Sequence, residues 1–173
     1  MFFISSKNNF KQGYSIIELI IYIAIFTVLG VLVINSLIIT IKSFATIKTN
    51  HSLMESGLIS MDRMTREIRE AVSINLSESV FDSNPGILEL NSVNEVGNSE
   101  IIKFLSENSI LNLKKDNILV GSLIDSNINV TNLVFKLFAT TNSDAIRIEM
   151  TLQDQRSNKS EKFYNTIILR GGY

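Results

Sequence analysis

The feature that most constrains this chain is a run of 23 residues without a charged side chain, from Leu19 to Ile41. As an α-helix this run would be roughly 35 Å long, against about 30 Å for the hydrocarbon core of a bilayer. It is therefore long enough for one membrane crossing. The remainder of the chain has the mixed composition of an ordinary soluble domain.

The charges around this run resemble those of an export signal that is cut in an unusual place. Lys7 and Lys11 precede the run, which favours a cytoplasmic N-terminal side, although Lys42 and Lys48 behind it weaken that bias. An ordinary secretory signal is cut behind the apolar core after small residues, and no such site follows here. The small residue stands in front instead, at Gly13. Cleavage there would remove the basic leader and leave the apolar helix attached.

Glu18 is the acidic residue that directly precedes the uncharged run. A charged side chain within hydrocarbon costs roughly 2.5 to 3.5 kcal/mol on insertion scales. Cleavage after Gly13 would free the amine of Tyr14, four residues before Glu18 and on the same helical face. Pairing the two charges lowers the cost of both. The amine of a neighbouring copy would serve equally, and would then set the axial stagger between packed helices.

The segment "GYSIIELIIYIAIF" resembles the class III signal of bacterial type IV pilins and type II secretion pseudopilins. It has Gly at the last leader position, an aromatic first mature residue and Glu at the fifth, although Tyr replaces the usual Phe. The resemblance implies cleavage by a prepilin peptidase between Gly13 and Tyr14, N-methylation of Tyr14, and a role for Glu18 in subunit docking.

The same resemblance implies a location and a set of partners. The protein would lie in the bacterial inner membrane as a single-pass protein with its head outside the cytoplasm, and then in a pilus or pseudopilus. Its partners would be other pilins or pseudopilins through the N-terminal helix, the prepilin peptidase, the inner-membrane assembly platform and membrane lipid. No direct nucleic-acid partner is expected, since 16 basic and 17 acidic residues form no basic stripe.

The helical pattern continues beyond the apolar run, which predicts one helix from about Tyr14 to about Val72. Apolar residues at helical spacing predict a stripe that a folded domain covers: Met54, Leu58, Met61, Ile68 and Val72. Oppositely charged pairs four residues apart support the helix: Asp62 with Arg66, Arg63 with Glu67, and Arg66 with Glu70. The segment "MDRMTREIREA", residues 61–71, resembles the J-type minor pseudopilins and the W-type minor pilins.

After Ser73 the hydrophobic period changes to alternation, which predicts a β-rich head. The expected strands are "ILELN" from Ile87, "IIKFL" from Ile101, "SILNL" from Ser109, "LVFKLF" from Leu133, "AIRIEMTL" from Ala145 and "FYNTIIL" from Phe163. The pairs Glu107-Asn108 and Asp116-Asn117 suit turns between neighbouring strands, so a meander of hairpins is the simplest topology.

Together these patterns predict an α+β, pilin-like fold with a long N-terminal hydrophobic helix packed on an antiparallel β-sheet head. Four segments follow from it. Residues 1–13 are a cleaved leader peptide, 14–41 the transmembrane or filament-core half of the helix, 42–73 its amphipathic half, and 74–173 the globular head.

The sequence offers no set of residues for catalysis or for a cofactor. His51 is the only histidine and cysteine is absent, so a transition-metal site would depend on carboxylates. Known phosphate-binding, nucleophile and zinc motifs are missing, and "DSN" at 82–84 and 125–127 is typical of turns. We therefore expect no enzymatic activity and no cofactor. The alternative is calcium bound by loop oxygens, as in some secretion pseudopilins.

Two functional hypotheses follow. The first is a minor pilin or pseudopilin that is processed and then assembles into, or caps, a filament. The second is a single-pass, membrane-anchored binding module whose extracytoplasmic β head recognises a ligand without any filament. Substitution of Gly13 separates them, because only the first requires cleavage at that position.

Overall fold

The computed structural model describes residues 15–94, 96–139 and 144–169. Within these ranges the chain forms one long helix followed by eight strands. The elements are α1 (Ile16–Glu70), β1 (Ser73–Ile74), β2 (Ile87–Val93), β3 (Ser99–Glu107), β4 (Ile110–Lys115), β5 (Ile118–Ser122), β6 (Ile128–Ala139), β7 (Asp144–Asp154) and β8 (Ser160–Ile168). The predicted α+β layout, a long apolar N-terminal helix with antiparallel strands after it, is confirmed and is consistent with a pilin-like fold. The predicted leader, residues 1–13, lies outside the described residues.

The chain divides into two compact units between Ala45 and Thr46. In the first unit, α1 is apolar on every face, and its large side chains are exposed, as at Ile16 (80%) and Phe26 (79%). A helix that is apolar all round needs lipid or other helices around it. The second unit contains the remainder of α1 and the described strands, and it has its own hydrophobic core.

The strands form two antiparallel sheets rather than the single sheet that the sequence suggested. The first has the order β1-β2-β3-β4-β5 and the second the order β6-β7-β8, so neighbours in sequence pair throughout each sheet. This is the predicted meander. Loop backbone joins the two sheets, because the amides of Asp82 and Gly86 donate to the carbonyls of Phe135 and Leu133 in β6 at 2.9 and 2.8 Å.

The hairpin turns of the first sheet depend on residues that tolerate positive φ. Asp116 and Asn117 have φ of 50° and 64°, as their prediction as a turn pair requires. The other turn lies one residue later than predicted, at Asn108 and Ser109, with φ of 52° and 63°. Glu107 instead stays in β3 because it pairs with β4, and its carboxylate accepts a hydrogen bond from Lys114 at 2.7 Å.

Strand β7 supplies the centre of the second sheet and confirms the predicted alternation. Ile146, Ile148 and Leu152 are fully buried, whereas Arg147 between them is exposed. The neighbouring strand β6 adds Phe135, which is also fully buried. These inward-facing side chains pack in one core with the covered face of α1.

The covered face of α1 differs from the predicted stripe. Met61 and Ile68 are buried as expected, but Met54, Leu58 and Val72 are 49%, 61% and 52% exposed. The prediction was wrong for these three positions because it followed only the large apolar residues. The buried face instead includes Leu53 and Met64 together with small or polar residues: Ser56, Gly57, Ser60 and Glu67.

The small residues allow loop backbone and an aromatic ring to approach the helix closely. Ser60 Oγ donates to the carbonyl of Leu123 at 2.7 Å, which fixes the chain that leaves β5 against the helix. On the second sheet the ring of Phe163 lies directly over Gly57, so that a Cβ at this position would come within 2.1 Å of the ring. Glycine is therefore required here for packing, in spite of its cost of roughly 1 kcal/mol in a helix.

A buried carboxylate of the first sheet accepts a hydrogen bond from the segment that follows β1. Glu89 in β2 is only 5% exposed and accepts from Lys103 Nζ of β3 at 2.7 Å. Its second partner is Asn75 Nδ2 at 2.8 Å, from the chain just after β1. Because a buried carboxylate without partners is costly, these contacts make the position of residue 75 specific.

We predict that alanine substitution of two helix glycines has different effects on stability. Gly57→Ala should lower the free energy of unfolding of the second unit by about 1 to 3 kcal/mol, because the new methyl group overlaps the Phe163 ring. Gly30→Ala is the matched control, since its Cβ meets nothing within 4 Å, and it should leave that free energy unchanged. Urea unfolding of the detergent-solubilised chain, followed by near-ultraviolet circular dichroism, measures both. Equal effects of the two substitutions would contradict the packing described above.

We also predict that the stabilisation of the fold by Asp154 declines as the pH falls below about 4. The backbone N–H of Ser157 lowers the pKa of this carboxyl, helped by the Ser157 hydroxyl and the N–H of Arg156. Because the folded pKa is below that of the unfolded chain, about 3.9, the contribution is complete above that value and is lost as pH falls through the folded pKa.

Asp154→Asn should therefore lower the free energy of unfolding by about 1 to 2 kcal/mol at pH 7, and by less at pH 3. Asp62→Asn is the control, because Asp62 is 76% exposed and its pair with Arg66 at 3.3 Å contributes little. Denaturant titrations at both pH values test this. A difference at Asp154 that does not change with pH would be inconsistent with a role for its charge.

Candidate helix-packing site and head surfaces

The start of α1 places Glu18 in its first turn. The carbonyl of Ser15 accepts hydrogen bonds from the amides of Glu18 and Leu19 at 3.0 and 3.2 Å, which makes Ser15 the residue that opens the helix. An acidic side chain in the first turn also interacts favourably with the positive end of the helix dipole. The helix dipole therefore favours Glu at this position even without a partner.

Tyr22 contacts Glu18 directly. Its hydroxyl donates to Glu18 Oε1 at 2.6 Å, and Glu18 is half-buried whereas Tyr22 is 55% exposed. Residues four apart lie on one helical face, and side chains lean toward the helix N-terminus, so the phenol of residue 22 reaches back to the carboxylate. Sequence reasoning missed this residue, although the spacing of Tyr and Glu was the available signal.

Two hydroxyls further along the apolar segment bind the helix's own backbone. Thr27 Oγ1 donates to the carbonyls of Ile23 and Ala24 at 2.5 and 3.0 Å, and Thr40 Oγ1 donates to that of Ser36 at 2.9 Å. Such hydroxyls need no outside partner in an apolar medium. The carboxylate of Glu18 differs, because it has acceptor capacity beyond its bond to Tyr22.

Of the predicted processing and docking residues, Glu18 is within the described part of the chain. Gly13 and Tyr14 lie outside the described residues, so the pairing of the Tyr14 amine with Glu18 stays a prediction. Glu18 itself is on the exposed apolar part of α1. Over the described residues, α1 is the one helix that is long and apolar enough to cross a membrane.

The second unit has a groove between α1 and the edge strand β5. It has a volume of about 620 Å³ and is lined on the helix by Leu58, Ile59 and Arg63, among others. The strand is unusually apolar for a sheet edge, since Ile118, Leu119 and Val120 are 72%, 56% and 56% exposed. This strand was missed in the sequence because its five residues follow no inside-outside alternation.

The outer face of the second sheet has a small charged cluster. Glu149 accepts from Lys136 Nζ and Arg147 Nε, both at 3.0 Å. The hydrogen bond from Lys136 lowers the pKa of the Glu149 carboxyl, with a smaller contribution from the charge of Arg147. Arg147 also lies over the ring of Tyr164, 5.8 Å from its centroid. These partners satisfy one another, as surface side chains of a sheet commonly do.

The described residues contain no group of three or more His, Asp or Glu side chains that could hold a metal ion. His51 is exposed, and its Nδ1 lies 3.4 Å from Glu55 Oε2 one turn along the helix. Asp125, from one of the two "DSN" segments, accepts from Ser52 Oγ at 3.1 Å.

Comparisons of the chain with protein-family models, with curated proteins and with solved structures find no match.

We predict that removal of residues 1–45 converts the protein from a membrane-bound to a soluble form. The remaining chain keeps the covered face of α1 together with both sheets, so it should still unfold cooperatively. The full chain should stay in the membrane fraction after carbonate washing. A truncated chain that aggregates without native circular dichroism, or a full chain that the wash releases, would contradict the division into two units.

Proposed function

We propose that the protein is a minor pilin or pseudopilin, which a prepilin peptidase processes and which then assembles into, or caps, a type IV pilus or type II secretion pseudopilus. The observation that supports this most is that the two parts of α1 have different surroundings. One helix has an apolar part with every large side chain exposed and a second part whose buried face belongs to the core of a β domain. A filament of bundled helices uses both parts.

The exposed apolar part of α1 suits two environments, one before and one after filament assembly. Lipid satisfies it before assembly, and the apolar parts of neighbouring helices satisfy it afterwards. Because hydrocarbon and leucine-rich helices are similarly apolar, the transfer between them costs little, and packing together with polar contacts decides the outcome. Glu18 is the group at which such a polar contact is expected, through an N-terminal ammonium freed by cleavage between Gly13 and Tyr14.

The experiment that tests this proposal is substitution of Gly13 in the native host. Native protein should begin at N-methylated Tyr14 by mass spectrometry and should co-purify with other pilin-like subunits. Gly13→Val should keep Met1 and be absent from filaments, whereas Gln12→Ala, a control within the leader, should be processed normally. Native protein that begins at Met1, or full incorporation of Gly13→Val, would exclude the proposed function.

The second candidate is a membrane-anchored binding module. The groove beside β5 favours it, because an apolar sheet edge next to exposed Leu58 and Ile59 is suited to an extended polypeptide. In that case Gly13→Val would retain function, and Val120→Lys at the groove would abolish it. Each substitution should therefore abolish function under one hypothesis and retain it under the other.

A further inference from the structure

We propose that Tyr22 is a positioning residue for Glu18: its hydroxyl holds one carboxylate oxygen and directs the other to a single ammonium on a neighbouring helix, one helical turn out of register. This inference rests on the proposed function and adds to it the role of Tyr22. The observation that carries it is the bond of 2.6 Å from Tyr22 Oη to Glu18 Oε1.

The bond first changes the cost of keeping Glu18 charged. A carboxylate in an apolar medium needs donors for its oxygens, and a hydrogen bond to a charged group is about twice as strong as one between neutral groups. Tyr22 supplies one such donor from the same helix. One of the hydrogen bonds that the carboxylate needs in an apolar medium is therefore formed before a partner binds.

The bond also gives the carboxylate a direction. Residue 22 lies on the C-terminal side of Glu18, and its phenol reaches back to bind Oε1. Oε2 is then the oxygen that we assign to the ammonium of a neighbouring copy. When residue 14 of one copy lies beside residue 18 of the next, parallel helices are displaced by four residues, or roughly 6 Å.

Finally, two threonine hydroxyls of this segment do not compete. Thr27 and Thr40 donate to carbonyls of their own helix, so they offer no donor to a neighbouring carboxylate. Among the contacts of residues 15–94, Glu18 with Tyr22 is therefore a polar unit that can accept a further hydrogen bond. A neighbour's ammonium donates that bond without leaving either charge unpaired, which a buried ion pair requires.

The test uses cysteine cross-linking, for which the natural absence of cysteine is an advantage. Two differently tagged full-length chains, one with Ile21→Cys and one with Ile25→Cys, are expressed together with a prepilin peptidase and oxidised in phosphatidylethanolamine and phosphatidylglycerol vesicles. Both positions flank the face of Glu18 and Tyr22. A stagger of four residues places position 21 of one chain beside position 25 of the other, whereas helices in register would join position 25 to position 25.

In the natural background the 21–25 product should exceed the 25–25 product by about fivefold or more. Tyr22→Phe keeps the ring but removes the hydroxyl, and should reduce this preference below about twofold with membrane insertion unchanged. Thr40→Val, which removes a hydroxyl that binds its own helix, is the matched control and should keep the preference. Glu18→Gln should abolish it.

The outcomes separate the inference from the proposed function. If Glu18→Gln abolishes the staggered product and Tyr22→Phe leaves it intact, helix docking through Glu18 stands and the role of Tyr22 is overturned. If neither substitution changes the products, both the inference and the docking function are overturned. If only Tyr22→Phe acts, Tyr22 does not work through Glu18, and the inference fails.

Discussion

The structure depends on the packing of one face of α1 against two β-sheets. Leu53, Met64 and Ile68 have no exposed surface, and they pack in the same core as the inward-facing residues of β6 and β7. The face includes Ser56, Gly57 and Ser60, and these small residues let the Leu123 carbonyl and the Phe163 ring come close to the helix. The C-terminal part of α1 is consequently part of the core of the β domain.

The two parts of α1 therefore have different surroundings. From residue 46 onward its buried face is covered by the domain, whereas before residue 46 its large apolar side chains are exposed on all faces. Such an exposed surface is far larger than the apolar patches of soluble monomers and requires lipid or protein around it. Glu18, bound by Tyr22, is an acidic residue in this apolar part, and its further acceptor capacity supports the proposed contact between helices.

The sequence predicted the elements better than their contacts. The uncharged run from Leu19 to Ile41 and the alternation around Ile146 are periodic signals that depend only on local geometry, and both identified the correct element. The helix face was partly wrong because a glycine opposite Phe163 is invisible to hydrophobic periodicity. Strand β5 was missed because an exposed edge has no buried face to produce alternation. The division into two sheets arises from contacts between distant segments, which spacing does not encode.

The candidate site shows the same limit. Glu18 was identified from its place beside the uncharged run, and Tyr22 could have been found from its spacing of four residues. The direction of the bond between them required coordinates. The roles of Gly13 and Tyr14 stay predictions, since both residues lie outside the described part of the chain.

The most direct test of the account is hydrogen exchange on the full chain in lipid vesicles. If the covered face of α1 and the second sheet form one core, amides at residues 57–68 and in β7 should exchange with the same opening free energy and the same urea dependence. Amides at residues 20–41 should be protected independently of urea at concentrations that unfold the β domain. Fast exchange at residues 57–68 while β7 remains protected would contradict the central claim.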